Sequence, residues 1–367
     1  MKKIKHLMIW IGLLLSLVSC KDTMEAIGLG GDEIPAEGLV LNLQLTNFTK
    51  QQIGTRAGAS ETVKSLWAVF YGDNNEYKGK TDCYSTLSQQ PDGSYKVKIT
   101  NVPAGTKNVH LVANASDMTD AEAQDLQSLT AAKERAPQLD APICWGKISI
   151  DKLLEANPSV TMLRQCAKIS LEIDNSIQSN FTNAGLYVYN TATKAAIAPA
   201  NYIEPTTDDL AESTDLRTDN PLGGGTATTV AVNETSAGKA MVIIKANYKD
   251  SVGHAREGYY KVALYKDANK TTQYALLRNH HYTIKVTKVN DYGFSTLEEA
   301  KKSLPENRLE VEVRDDNPEI TRMIACKDYE LGVSDYQEIN ANTTEATVTI
   351  VTTLPKATSS DSALYSV

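Results

Sequence analysis

The sequence is short of most residues that carry chemistry. Its 367 residues hold five cysteines, five histidines, four phenylalanines and three tryptophans. Cys83, Cys144, Cys166 and Cys326 are widely spaced and form no C-x-x-C pair, which argues against a zinc site. Positive charge is outnumbered, with 37 Lys and Arg against 45 Asp and Glu, for a net charge of −8. A general nucleic-acid binder needs the opposite sign, so no nucleic-acid partner is expected. No interior run reaches the roughly 18 apolar residues of a spanning helix. There is no G-x-S-x-G and no H-E-x-x-H, and no phosphate-loop lysine follows Gly223-Gly224-Gly225. His280 and His281 adjoin, but neighbours on a strand point to opposite faces, so they do not readily share a metal. His254 and Glu257 lack a third ligand nearby. Asp315-Asp316-Asn317 lacks the glycine and downstream glutamate of a calcium loop. These absences predict no enzyme, no metal and no cofactor.

What is present points to strands. Hydrophobic residues make up 41% and charged residues 22%, close to the globular average, so the chain as a whole is not disordered. Tyrosine supplies 17 of the aromatics, and Tyr, Thr and Val favour sheets. The length suits about two domains at roughly 100–200 residues each.

The first 19 residues read as a secretory leader: a basic head with Lys2, Lys3 and Lys5, an apolar run from Leu7 to Val18, then Ser19. Leu17-Val18-Ser19-Cys20 resembles a bacterial lipobox, in which the cysteine thiol takes a diacylglycerol through a thioether and cleavage falls before it. Cys20 is therefore the expected lipidation site. Loss of the leader removes three positive charges from the net −8 and leaves −11 on the mature chain. Attachment to the outer membrane would then come from acyl chains rather than from charge. Residues 20–36, with Gly28, Gly30, Gly31 and Pro35, read as a flexible tether. Export puts the other four cysteines in an oxidising compartment. Buried thiols are expected there, with one or two disulfides as the alternative, because a chain this long needs no staples.

Leu39, Leu41, Leu43 and Leu45 alternate with Val40, Asn42 and Gln44, the period of a strand with one buried face. Residues 47–60 turn polar and small. Val63 to Tyr71, Tyr95 to Ile99, Val109 to Asn114 and Ser159 to Leu163 read as further strands, with Pro91-Asp92-Gly93-Ser94 as a turn. Thr119-Asp120-Ala121-Glu122 has capping-box form and starts a helix. A second series follows: Ala167 to Ile173, Leu186 to Tyr189, Met241 to Tyr248, Tyr259 to Tyr265, Gln273 to Leu276 and Tyr282 to Val289. Strands at this density with few helices predict an all-β chain with a few short helices, built as stacked antiparallel sandwiches over 37–165 and 166–290. Residues 291–367 read as an extension with a short helix near Thr296, a strand Leu309 to Val313, a turn at Asp315 to Pro318 and a strand Ala346 to Leu354. It would supply a donor strand or open a third domain.

Several of these features recur as an ordered set: the lipobox, the leucine strand, Thr55-Arg56-Ala57, Val63 to Tyr71, Val109 to Ala115, Cys144-Trp145-Gly146, and Leu277 to Tyr282. In this order they resemble the Bacteroidales fimbrillin superfamily, the lipoprotein-derived subunits of type V pili. The resemblance covers about residues 1–290 and implies two tandem transthyretin-like β-sandwich domains. It implies export to the outer membrane and cleavage by an Arg-specific protease between Arg56 and Ala57. It also implies assembly with other fimbrial subunits, as a shaft or tip subunit of a surface fimbrium that supports adhesion to a host ligand. Release of the Leu39 to Leu45 strand would leave an apolar groove that a strand from another subunit refills. Val348, Ile350 and Leu354 share one face, with Thr352 between them, and are the candidate donor residues. Anchor subunits of the same superfamily keep their lipid and are not cut, so a lipid-anchored surface receptor for glycan or protein is the alternative.

Cys20→Ser is expected to abolish lipidation, because a hydroxyl does not replace the thioether-forming thiol. Labelling cells with radioactive palmitate checks this, and equal label in both strains would remove the lipoprotein reading.

Overall fold

The structure is a computed structural model. It describes residues 38–45, 62–91, 93–200, 210, 215–266, 269–305 and 308–316, and the backbone of three strands at 320–325, 330–334 and 350–352.

Strand after strand forms because apolar residues recur at every second position. In β5 (Tyr95–Ile99), Tyr95, Val97 and Ile99 are buried while Lys96 and Lys98 stay exposed. The first sandwich joins it to β1 (Leu39–Leu45), β2 (Leu66–Tyr71), β3 (Tyr77–Asp82), β4 (Ser88–Gln89), β6 (Asn108–Ala113), β7 (Cys144–Ser149) and β8 (Ser159–Arg164). Their order is β3-β2-β6-β7-β8-β1-β5-β4, one hydrogen-bonded series. Between β6 and β7 lies α1 (Asp120–Gln124), started by the expected capping box of Thr119 and Glu122. α2 (Ile150–Leu153) leads from β7 towards β8.

The second sandwich has two four-stranded sheets. One runs β11 (Leu222–Gly223), β10 (Phe181–Tyr189), β13 (Met241–Lys249), β14 (Ala255–Val262). The other runs β12 (Thr229–Asn233), β9 (Cys166–Ile173), β15 (His281–Val289), β16 (Leu309–Asp315). The inner faces meet in one core, with Leu186, Val188, Ile244 and Val262 from the first sheet against Ile169, Leu171, Ile284 and Val286 from the second.

Three sequence expectations are corrected here. The second sandwich does not end at 290, because β16 pairs with β15 from Tyr282↔Asp315 to Val289↔Leu309. Its alternation of Leu309, Val311 and Val313 with charged residues is that of a half-covered outer strand, so it belongs to the sandwich and not to the extension. The strand expected over Tyr259 to Tyr265 is instead Ala255–Val262, recruited by pairing along β13. Gln273 to Leu276 makes only isolated bridges, at Tyr265↔Gln273 and Thr235↔Leu276. Beyond β16, β17 (Ile320–Ala325), β18 (Glu330–Ser334) and β19 (Ile350–Thr352) form an antiparallel sheet of their own in the order β17-β18-β19.

Only Gln165 separates β8 from β9, so the sandwiches share almost continuous backbone. Gln165 is itself fixed, its N–H to the Ile143 carbonyl at 2.8 Å and its amide to the Ala195 carbonyl at 2.7 Å. The segment after β10 then lies against the first sandwich. Ala198 donates to the Leu126 carbonyl at 2.8 Å, and Ile197 and Ala198 join a cluster with Val69, Tyr71, Val112 and Trp145.

Next to that cluster His110 is buried against the Tyr71 ring, with centroids 4.8 Å apart. Trp145 donates its indole N–H to His110 Nδ1 at 3.2 Å, which needs a neutral imidazole. Burial, with Lys147 nearby as the smaller cause, pushes the His110 pKa down to about 3. Because the unfolded imidazole titrates near 6.5, the unfolded state binds the extra proton first as pH falls. Stability is complete above the unfolded value and is lost as pH drops towards the folded one. Between pH 7 and pH 5 the loss should be about 2 kcal/mol. Trp67 and Trp145 both lie in this sandwich, so urea unfolding followed by tryptophan fluorescence at the two pH values measures it. His110→Gln should flatten the profile.

Candidate functional site: the seat of the first strand

Of the residues singled out for strand exchange by sequence, those with described side chains are the four leucines of β1. Gly38 opens it at φ +87°, in the left-handed region, and a Cβ there would stand 2.6 Å from the Ile99 carbonyl oxygen. Only glycine lets the chain enter so close to β5. β1 then pairs antiparallel with β5 (Leu39↔Ile99, Leu41↔Val97, Leu43↔Tyr95) and parallel with β8 (Leu43↔Val160, Leu45↔Met162). Paired residues share a face. The strand therefore lays its leucines in a row between Tyr95, Val97 and Ile99 on one side and Val160 and Met162 on the other. Asn42 anchors the register, its N–H to the Pro158 carbonyl at 3.0 Å and its side-chain amide to the same oxygen at 3.3 Å.

Leu39, Leu41 and Leu43 are buried, Leu41 completely. Leu45 is only half-buried, a correction to four equivalent leucines, because it ends the strand beyond the last β5 pair. At about 1.5–3 kcal/mol for each fully buried leucine, the three are worth about 5–9 kcal/mol. That is a large part of the roughly 5–15 kcal/mol stability of a whole domain. A strand held this way is fixed by its side-chain and main-chain contacts as well as by its covalent connection.

Cys20, Arg56, Ala57, Val348 and Leu354 lie outside the described residues. Arg56 and Ala57 fall in the connection between β1 and β2. Ile350 is described by its backbone as the first residue of β19, which pairs with β18 through Val333↔Ile350, Gly332↔Val351 and Leu331↔Thr352. The rest of the expected Ala346 to Leu354 strand lies outside the described residues. Cys83, Cys144 and Cys166 are buried and in no disulfide. Among the described residues, no group of three or more His, Cys, Asp or Glu is placed to hold a metal ion.

The sequence motif Leu277 to Tyr282 has a role that sequence reasoning missed. It lies at the junction of the sandwiches. Buried Arg278 donates to the carbonyls of Ile197 and Ala196 at 3.0 and 3.1 Å and pairs with Glu234. The side-chain oxygen of Asn279 accepts from the Arg164 N–H and guanidinium, both at 3.3 Å. His280 Nδ1 meets Asp315 at 2.8 Å, while His281 Nε2 meets Ser170 at 2.9 Å, so the two rings do serve separate partners. Tyr282 donates its hydroxyl to the Ala275 carbonyl at 2.8 Å. On the other side of the junction Arg135 pairs with Glu122 and Asp117. Burial works to raise the Glu122 pKa, but the hydrogen bonds from Arg135 and the backbone hold it below the ordinary carboxylate value. A run of polar residues before a strand was the available signal, but periodicity says nothing about what such residues face.

Part of the chain is similar to the major fimbrium tip subunit FimE of Porphyromonas gingivalis, at 24% identity over 230 residues, 55% of this chain and 40% of that protein. This supports a fimbrillin-like family for the chain. The match thus spans 40% of the length of the curated relative, which is named as a fimbrial subunit. No protein-family model matches. Among solved structures, a candidate cell adhesion protein from Bacteroides eggerthii gives a TM-score of 0.46 at 13% identity, over 78% of this chain and 97% of that one. Another from Parabacteroides distasonis gives 0.44 at 12%, over 76% and 96%.

Leu41→Ala should destabilise the first sandwich by about 2–5 kcal/mol. Val40→Ala, one residue away on the exposed face, should stay within about 0.5 kcal/mol. Urea midpoints read by tryptophan fluorescence separate the two.

Proposed function

We propose that the chain is a structural subunit, shaft or tip, of a cell-surface fimbrium that supports adhesion. It is exported as a lipoprotein through Cys20, held at the outer membrane, cut by an Arg-specific protease between Arg56 and Ala57, and polymerised by exchange of β1 for a strand of another subunit. The observation that carries this reading is the seat of β1. A strand with alternating buried leucines lies between β5 and β8 and connects to the rest of the sandwich through the segment that contains Arg56. Cleavage there removes the covalent tie but leaves the side-chain and main-chain contacts, so an incoming strand can exchange for β1 without the groove standing empty. The tip-subunit name of the curated relative supports a fimbrial or adhesive role at the cell surface. Ala346 to Leu354, the segment that contains β19, is the candidate donor in this chain.

The test pairs an Arg56→Ala strain with one lacking residues 346–367. Each is expected to yield folded monomer and no polymer. N-terminal sequencing of the wild-type surface protein should begin at Ala57. A mature protein that begins at lipidated Cys20, found only as membrane-bound monomer, would favour the uncut, lipid-anchored receptor instead. Normal polymers from the Arg56→Ala strain would rule out cleavage there as the trigger, and normal polymers from the deletion would remove this tail as donor.

A further inference from the structure

β15 and β16 are antiparallel neighbours whose last pair is Val289↔Leu309. Two residues would suffice to join such strands. The chain instead spends residues 290–308 on the connection and closes its base with the Asn290 N–H on the Arg308 carbonyl at 2.8 Å. The excursion does not stay with its own sheet. It crosses to the opposite one and lies along β14, the last strand there.

The fit is close. Phe294 and Tyr259 exchange both main-chain bonds, at 2.9 and 3.0 Å. Gly293 packs on Gly258 so tightly that a Cβ on Gly293 would stand 2.6 Å from the Tyr259 nitrogen and 2.9 Å from the Gly258 carbonyl carbon. Arg256 stacks over Tyr292 at 4.6 Å and donates to the Gly293 carbonyl at 3.1 Å. Lys261 donates to the carbonyls of Lys301 and Ser303 at 3.0 and 2.7 Å, which holds the end of α3 (Leu297–Lys302). Ala300 is buried against Tyr189 and Ile243.

Beneath this cover, β14 is self-complementary. Paired antiparallel with a second β14 about Tyr259, it sets Glu257 opposite Lys261 on both sides of the two-fold axis. The Tyr259 N–H and carbonyl, now bonded to Phe294, would bond to the second Tyr259. We propose that residues 291–303 are a strap that seals the β14 edge against pairing with a second copy of this chain. The strap takes the middle of the edge, where a second copy would start, and its side-chain contacts hold it there. The proposal stands apart from the fimbrial reading, because it concerns the second sandwich and needs neither cleavage nor β1.

The experiment replaces residues 291–307 with Asn-Gly, which removes the cover and leaves the Asn290–Arg308 base as a hairpin. A second variant, Gly293→Val, lifts the strap by steric contact alone, since Gly293 has no left-handed backbone to lose. With circular dichroism matching the parent, light scattering after size exclusion should show a roughly twofold rise in mass with concentration in both variants and not in the parent. Adding Glu257→Lys to the uncovered chain puts like charges opposite each other and should abolish the dimer. Mixing that chain with an uncovered Lys261→Glu partner should restore it. Uncovered variants that remain monomeric, or that associate equally well with Glu257→Lys, would overturn the proposal.

Discussion

β1 carries the first sandwich across its seam. In the order β3-β2-β6-β7-β8-β1-β5-β4 it alone joins β8 to β5, so without it the series falls into two pieces. The strand that closes the sandwich is also the first described strand in the chain, yet its partners lie far along the sequence, Tyr95 and Val160 both facing Leu43. Contacts between such distant residues carry a large loop-closure cost before they yield any stabilisation. The groove between β5 and β8 is therefore made by later residues and filled by an early one. The filler thus has no partner close to it in sequence, and its three buried leucines tie it to a groove that its own removal would split.

The junction between sandwiches is the opposite kind of connection. One residue links β8 to β9, and the surrounding polar groups are buried and paired: Arg278 with Glu234, Arg164 with Asn279, Gln165 with two carbonyls. Replacing such pairs wholesale with apolar residues need not cost stability, but removing one partner leaves a buried charge and costs about 3–5 kcal/mol. The junction thus specifies one arrangement of the two sandwiches. Backbone and these pairs join the two sandwiches without an intervening linker.

Much of this was legible in the sequence. Period-two leucines announced β1 to the residue, and the Thr119 and Glu122 capping box announced α1, because both signals are local and each residue's role follows from its neighbours. β16 was legible as a strand but not as a member of the second sandwich, since its partner is reached only after the long excursion over β14. The start of β14 at Ala255 was hidden because Ala255-Arg256-Glu257-Gly258 has no alternation, and pairing with β13 imposes the strand. The junction was illegible for a similar reason. Arg278 and Asn279 look like loop residues until Ile197 and Arg164 are brought beside them.

The open edges show where the fold permits strand addition and where it resists. β3 carries Lys78 and Lys80, and Lys80 reaches Asp120 at 2.8 Å, so a charged, partly covered strand ends that side. β16 alternates exposed Glu310, Glu312 and Arg314 with its inward residues, which makes a flat apolar approach unfavourable. β14 lies under the connection from β15. Against this background the β1 seat differs in kind. It is not an edge but an interior position between two strands, lined by Val97, Ile99, Val160 and Met162 and filled by large apolar residues at every second place. Under the strand-exchange reading, protected edges and a demanding interior seat would act together, the first limiting indiscriminate pairing and the second limiting entry to strands that match the leucine pattern.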